Sequence, residues 1–159
     1  MAQPAEVQAA IPGARQAGSG RLVYWGFDVY DAALWVGPGF RQDDYARHPL
    51  ALELSYLRSF TALAIARRSL DEMRRMASIA PARATQWQRA LANALPDVAR
   101  GDRITGLYRP DSGAFFLING APAGEVRDPE FARLFFAIWL SPATSEPALR
   151  SALLAKTGP

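Results

Sequence analysis

A chain of 159 residues that is 50% hydrophobic and 21% charged has the ordinary globular balance, and one core burying roughly two-thirds of the unfolded surface is expected at that length. Its 18 Lys plus Arg against 15 Asp plus Glu leave a net charge of only +3, and the arginines run from Arg15 to Arg150 with acids interspersed, which argues against nucleic acid as a partner. With no Cys and one His, His48, a disulfide framework, a metal cluster and a nucleophilic triad all lack their parts, so neither metal nor cofactor is expected.

In chain order, residues 1–10 are Ala-, Gln- and Pro-rich without a period and read as a flexible lead-in. The stretch Ala2 to Ala5 looks like the new start left by signal cleavage, which predicts a periplasmic location; without such a cleavage the chain reads as cytoplasmic. No run of about 18 apolar residues is present, so no membrane span is expected. Residues 11–157 then read as one domain.

A first short strand is expected to turn through Gly18, Ser19 and Gly20. RLVYWGFDVYDAALWV, dense in β-branched and aromatic residues, comes next as one long strand with Gly26 at a bend or bulge. A solvated loop, Gly37 to Pro49, leads to a second strand, ALELSYLRSF, and places His48 in a polar turn. From Thr61 to Met76, Leu63, Ala66, Leu70, Met73 and Met76 recur at helical spacing, with Arg67, Arg68, Arg74 and Arg75 on the wet side. Ser69 and Glu72 fit a capping box, which leaves a break near Ser69 open. Pro81 opens another helix that ends at Pro96.

RITGLY, AFFLING and PAGEVRD read as three short strands, with Asn119 and Gly120 forming a hairpin turn. Asp128 and Pro129 are a helix cap and first residue for EFARLFFAIWL, apolar on nearly every side, and Ser145 is placed to cap the last helix. Segregated strands and helices indicate an α+β fold, an antiparallel sheet covered by helices on one face.

Chemistry is sparse. Gly18, Gly20 and Arg21 lack the third glycine and the following helix of a phosphate loop. Asp28 and Asp31 fall on opposite strand faces, and Asp71 with Glu72 lies in a cap turn, so neither pair makes an acid/base dyad. The stronger constellation is Arg15 or Arg21 near the first hairpin with Tyr24, Trp25 and Tyr30 on the returning strand. A guanidinium and a phenol in an aromatic pocket would hold a carboxylate or phenolate. The same residues also read as edge-strand solubilisers and core aromatics.

The order YWGFDVYDAALW, LALELSYLRSF, IARRSLDEMRR, LPDVARGDRITGLYRP, AFFLING and EVRDPEFARLFFAIWLSPATSEPALRSALL resembles the bacterial chalcone isomerase-like family over nearly the whole chain. That resemblance implies an open-faced antiparallel sheet backed by helices, with a ligand between them, as in plant chalcone isomerases and their fatty-acid-binding relatives. In the plant enzymes an Arg on the first hairpin stabilises the chalcone phenolate, helped by a Thr on the next strand and by a helical Tyr and Asn. Carried onto this sequence, the Arg is Arg15, with Arg21 second; the Thr position is Trp25; the Tyr and Asn fall near Arg83 and Ala90. At most the Arg survives as a catalytic group.

The resemblance therefore implies a non-catalytic protein binding a fatty acid or flavonoid-like ligand through Arg15 or Arg21 with Tyr24 or Tyr30. A chalcone or enone isomerase, an intramolecular lyase with the hairpin Arg as electrostatic catalyst, is the alternative. A second alternative is an interaction module whose EFARLFFAIWL helix is an interface. Oligomeric state is left open.

Overall fold

The computed structural model describes residues 4–159, so Ala2 and Gln3 of the alanine-rich start lie outside the described residues. The chain runs α1 (Ala5–Ala10), β1 (Arg15–Tyr24), β2 (Phe27–Val36), β3 (Leu50–Tyr56), α2 (Ala62–Met76), α3 (Pro81–Ala94), β4 (Arg103–Arg109), β5 (Gly113–Ile118), β6 (Ala121–Val126), α4 (Pro129–Leu140) and α5 (Pro147–Leu153). The six strands form one antiparallel sheet in the order β1 to β6, each paired with its chain neighbours. The architecture is the open antiparallel sheet with helices expected of an α+β chain.

Alternation sorts the faces. Leu50, Leu52, Leu54 and Tyr56 of β3 point into the main core, with Ala32, Leu34 and Val36 of β2 and Ile104 and Phe116 beyond. Trp35, Ala51 and Leu107 point to the opposite face, where α1 lays Val7 and Ile11 on them. Ala5–Ala10 is thus a packed helix within the 1–10 segment where a flexible lead-in was expected. Glu6 fastens it by an ion pair of 2.6 Å to Arg103, itself 3.2 Å from Glu53.

Two turns differ from expectation. Trp25 and Gly26 have φ of 52° and 79°, so what reads as one bulged strand is two strands joined by a tight turn of the kind that needs positive φ at both central residues. Gly18, Ser19 and Gly20 lie inside β1. A Cβ on Gly18 would stand 2.0 Å from the Ala152 carbonyl oxygen, so glycine here lets α5 approach the strand. At that point Ala17 slips out of register with β2, and its carbonyl accepts from Lys156 N at 2.8 Å.

The helices obey local chemistry. Thr61 caps α2, its Oγ1 accepting from Ala64 N at 3.1 Å. The helix runs unbroken past Ser69, whose hydroxyl donates to the Ile65 carbonyl at 2.8 Å. Asp128 caps α4 through Glu130 N and Phe131 N and accepts from Trp87 Nε1 at 3.0 Å. Phe131, Phe135 and Phe136 of α4 are buried in the core, which removes this helix as an exposed interface. The N-cap of α5 is Glu146, without a side-chain cap bond; ahead of it Thr144 Oγ1 accepts from Glu146 N at 3.1 Å, and Ser145, expected as the cap, donates to Glu72 instead.

Candidate functional site

Sheet and helices do not close everywhere. Between the core faces of β1–β5 and the helices α2 and α4 lies a cavity of about 470 Å³, within the size range of small-molecule sites. Its sheet wall includes Leu54, Ile104 and Phe116, and its helix wall Ile65, Phe135 and Ile138. A larger hollow of about 690 Å³ lies between Arg47, Tyr108 and Arg133. It is an open groove rimmed by charges, whereas the smaller cavity is set between the layers and lined by hydrocarbon, and is the better candidate for a retained ligand.

Polar groups enter the cavity at few points. Tyr30 and Tyr56 are cross-strand partners, with ring centroids 5.7 Å apart. The Tyr30 hydroxyl accepts from Trp139 Nε1 at 2.8 Å. The Tyr56 hydroxyl has no protein hydrogen-bond partner among the described residues. Burial pushes both phenols well above the usual tyrosine range, and Tyr30 further raises Tyr56. Both therefore stay neutral at physiological pH, each with a hydroxyl hydrogen that a ligand oxygen could accept.

Cations stand at the mouth. Arg68 of α2 places its guanidinium over the Tyr24 ring, 4.8 Å from the centroid, and donates to the Tyr24 hydroxyl at 3.5 Å. Arg58, just past β3, lies 4.4 Å over Phe27 and donates to the Asp28 carbonyl at 3.2 Å. Hydrogen bonding from Trp25 first, then from Arg68, holds the Tyr24 phenol below its ordinary value. Glu72 lines the cavity beside Arg68 and is engaged by Ser145, by Arg75 at 3.5 Å and by Arg68 at 3.7 Å.

Of the residues singled out in the sequence, the cavity gathers Tyr24 and Tyr30. Arg15, at the opposite end of β1 from Tyr24, donates to the Lys156 carbonyl at 2.8 Å. Arg21 is taken up by Asp31 at 2.7 Å and Asp28 at 3.2 Å. Trp25 is 82% exposed at its turn. None of these three lines the cavity. Arg83 is paired with Glu130 on the surface, and neither it nor Ala90 reaches the cavity. His48 pairs with Asp44 at 2.9 Å, away from the site.

The residues that sequence reasoning missed are Arg58, Arg68, Tyr56 and Trp139. ALELSYLRSF reads as strand to its end, but β3 stops at Tyr56 and the bend after it carries Arg58 to the mouth. Arg68 reads as a solvated helix arginine. The available signal was its spacing from Ile65 and Glu72, which puts the three on one side of α2.

A family model described as chalcone isomerase-like matches residues 17–155. The chain belongs to the chalcone isomerase-like family. Among solved structures, this family member is similar to a fatty-acid binding protein of Arabidopsis thaliana, at 11% identity with a TM-score of 0.69 over 90% of this chain and 87% of the other. At that identity the likeness speaks for the fold. No curated protein matches the sequence. This chalcone isomerase-like chain thus presents an apolar cavity with neutral phenols inside and guanidinium groups at its entrance, a set that can hold an amphipathic ligand.

Proposed function

We propose that the chain is a non-catalytic binding protein for a fatty acid or a similar apolar carboxylate. The tail occupies the space between sheet and helices, and the acid head pairs with Arg68, assisted by Arg58 and the Tyr24 hydroxyl. The observation that carries this reading is the hydrocarbon-lined cavity of about 470 Å³ with Arg68 at its mouth. The similarity to a fatty-acid binding protein supports it through the shared fold.

Native mass spectrometry after gentle purification tests it, with titration against a long-chain fatty acid as the second step. A charge-assisted hydrogen bond is worth about 1.5–3 kcal/mol. Because the Arg68 side chain is 54% exposed, the low end applies, and Arg68→Gln weakens binding about tenfold. Arg15→Ala and Arg21→Ala discriminate between anchors: a loss there with Arg68→Gln silent would return the head to the first hairpin. A protein that carries no ligand and binds no fatty acid refutes the reading.

The unpaired Tyr56 hydroxyl favours one second reading, isomerisation of an enone whose carbonyl it would polarise. Loss of chalcone absorbance with stereoselective flavanone formation would establish it. Racemic product at the background rate would exclude it.

A further inference from the structure

Two hairpins of this sheet turn through the same backbone, and only one is filled by the residue that the backbone selects. Asn119 and Gly120 have φ of 49° and 85°, Trp25 and Gly26 of 52° and 79°. Asn-Gly is the favoured pair for such a turn, whereas a bulky aromatic at positive φ is strained. Packing inside the protein does not compensate. Trp25 is 82% exposed, and its ring meets that of Tyr24 edge-on at 6.0 Å.

The surroundings extend the anomaly. Phe27 is 55%, Val23 49% and Tyr24 42% exposed, and Leu63 on the first turn of α2 is 44% exposed; with Trp25 these are the exposed large hydrophobics among the described residues. Four of the five belong to one hairpin tip, and the fifth lies on the helix whose Ala64 and Ile65 line the cavity with Tyr24 and Phe27. Strain at an outward tryptophan within an apolar tip points to a partner outside the chain.

We propose that the β1–β2 tip docks on a lipid bilayer bearing anionic headgroups, with Trp25, Val23 and Phe27 entering the boundary between headgroups and acyl chains. Three observations favour a bilayer over a protein. Trp and Tyr with an apolar body and a polar edge suit that boundary. The patch carries its own cations, Arg58 over Phe27 and Arg68 over Tyr24, with Arg67 exposed on the next turn of α2; Arg21 bridges the nearby Asp28 and Asp31, offsetting one of their two charges, and Glu72 lies 3.7 Å from Arg68. At typical side-chain areas the five residues present on the order of 500 Å², less than the roughly 800 Å² per partner of a stable protein interface. Because Tyr24 and Phe27 belong to both the tip and the cavity wall, a docked molecule opens its mouth against lipid. Uptake of a lipid-soluble ligand there rests on the ligand-binding reading above; docking itself does not.

The test is co-sedimentation with phosphatidylcholine vesicles, with and without phosphatidylglycerol, read alongside tryptophan emission. Trp35 and Trp87 are buried and Trp139 lines the cavity, so the part of the quenching by brominated acyl chains that Trp25→Asn removes reports Trp25. The wild type should pellet with anionic vesicles, with blue-shifted and quenched emission, and Arg67→Gln should reduce that preference. Trp25→Asn installs the residue the turn favours, so it should fold with an unchanged or higher Tm and bind vesicles roughly tenfold more weakly or worse. The proposal fails if the wild type stays in the supernatant with every vesicle, or if Trp25→Asn pellets equally well. It also fails if light scattering finds a dimer that Trp25→Asn converts to monomer, since a second copy would then cover the tip. Native mass spectrometry of the same samples reads cavity occupancy separately, so that an empty cavity counts against the ligand and not against docking.

Discussion

Tyr30 and Tyr56 stand side by side across β2 and β3 but are held differently, and replacing each by Phe separates their roles. Tyr30→Phe deletes the acceptor of the 2.8 Å bond from Trp139 Nε1. A buried indole N–H left without a partner costs about 1–3 kcal/mol, the low end applying where cavity water takes over the bond. For a domain of this size about 1 kcal/mol lowers Tm by roughly 2–4 °C, so Tyr30→Phe should melt about 2–12 °C below wild type. Tyr56→Phe removes a hydroxyl with no protein partner among the described residues, and the ligand-free variant should stay within about 0.5 kcal/mol of wild type.

The ligand then divides the two functional readings. A ligand at 100 times its Kd stabilises by about 2.7 kcal/mol. Tyr56→Phe should leave that gain intact for a fatty acid whose head sits at Arg68, and should diminish it for an enone whose carbonyl accepts from the Tyr56 hydroxyl. Differential scanning calorimetry with and without ligand measures both. Equal destabilisation by the two variants, or a Tyr30→Phe protein melting with wild type, would refute the assignment of hydrogen bonds on which this rests.

Packing and burial each give a further outcome. A Cβ at Gly18 meets backbone carbonyl oxygen at 2.0 Å, whereas at Gly20 it meets side-chain carbons of Ala152 and Leu149 at 3.0 Å; Gly18→Ala should therefore cost about 3 kcal/mol, visibly more than Gly20→Ala by thermal melting, and equal losses would contradict the packing of α5. Burial raises Tyr30, Tyr45, Tyr56 and Tyr108, while Tyr24 is lowered, so alkaline titration of phenolate absorbance should show Tyr24 ionising first and the fully buried Tyr30 and Tyr56 only with unfolding. Because the native state keeps protons that the unfolded chain releases above about pH 10, their stabilisation is complete below that pH. It is lost as pH rises past it, by about 1.4 kcal/mol per pH unit for each phenol held protonated; simultaneous ionisation of all tyrosines before the far-UV signal changes would overturn this.

The features legible in the sequence are those that local chemistry decides. The Asn119-Gly120 turn, the Asp128-Pro129 cap and the period of α2 each depend on a few adjacent residues, and each forms where it was expected. Gly18 misled because glycine marks both turns and close approaches, and only the distant α5 distinguishes them. Trp25 misled in the opposite sense, since nothing in its own chemistry suggests positive φ. The phenols Tyr24 and Tyr30 could be read from the strand. The guanidinium groups were less legible, because Arg58 reaches the mouth by a bend after β3 and only the spacing from Ile65 and Glu72 sets Arg68 apart from the other arginines of α2. Arg15 and Arg21, attractive by position, are spent on the Lys156 carbonyl and on two aspartates.

The bond from Lys156 N to the Ala17 carbonyl, with Arg15 reaching the same residue, has a consequence for synthesis. The outer edge of β1 belongs to the first strand of this sheet to be synthesised and is covered by α5 and the segment after it. At about 5–20 residues per second that edge waits roughly 7–30 s for its cover. Throughout that interval the edge strand carries the charged Arg15 and Arg21, side chains of the kind that disfavour edge-to-edge pairing. Two arginines without a place in the cavity thus stand on the strand that the end of the chain covers.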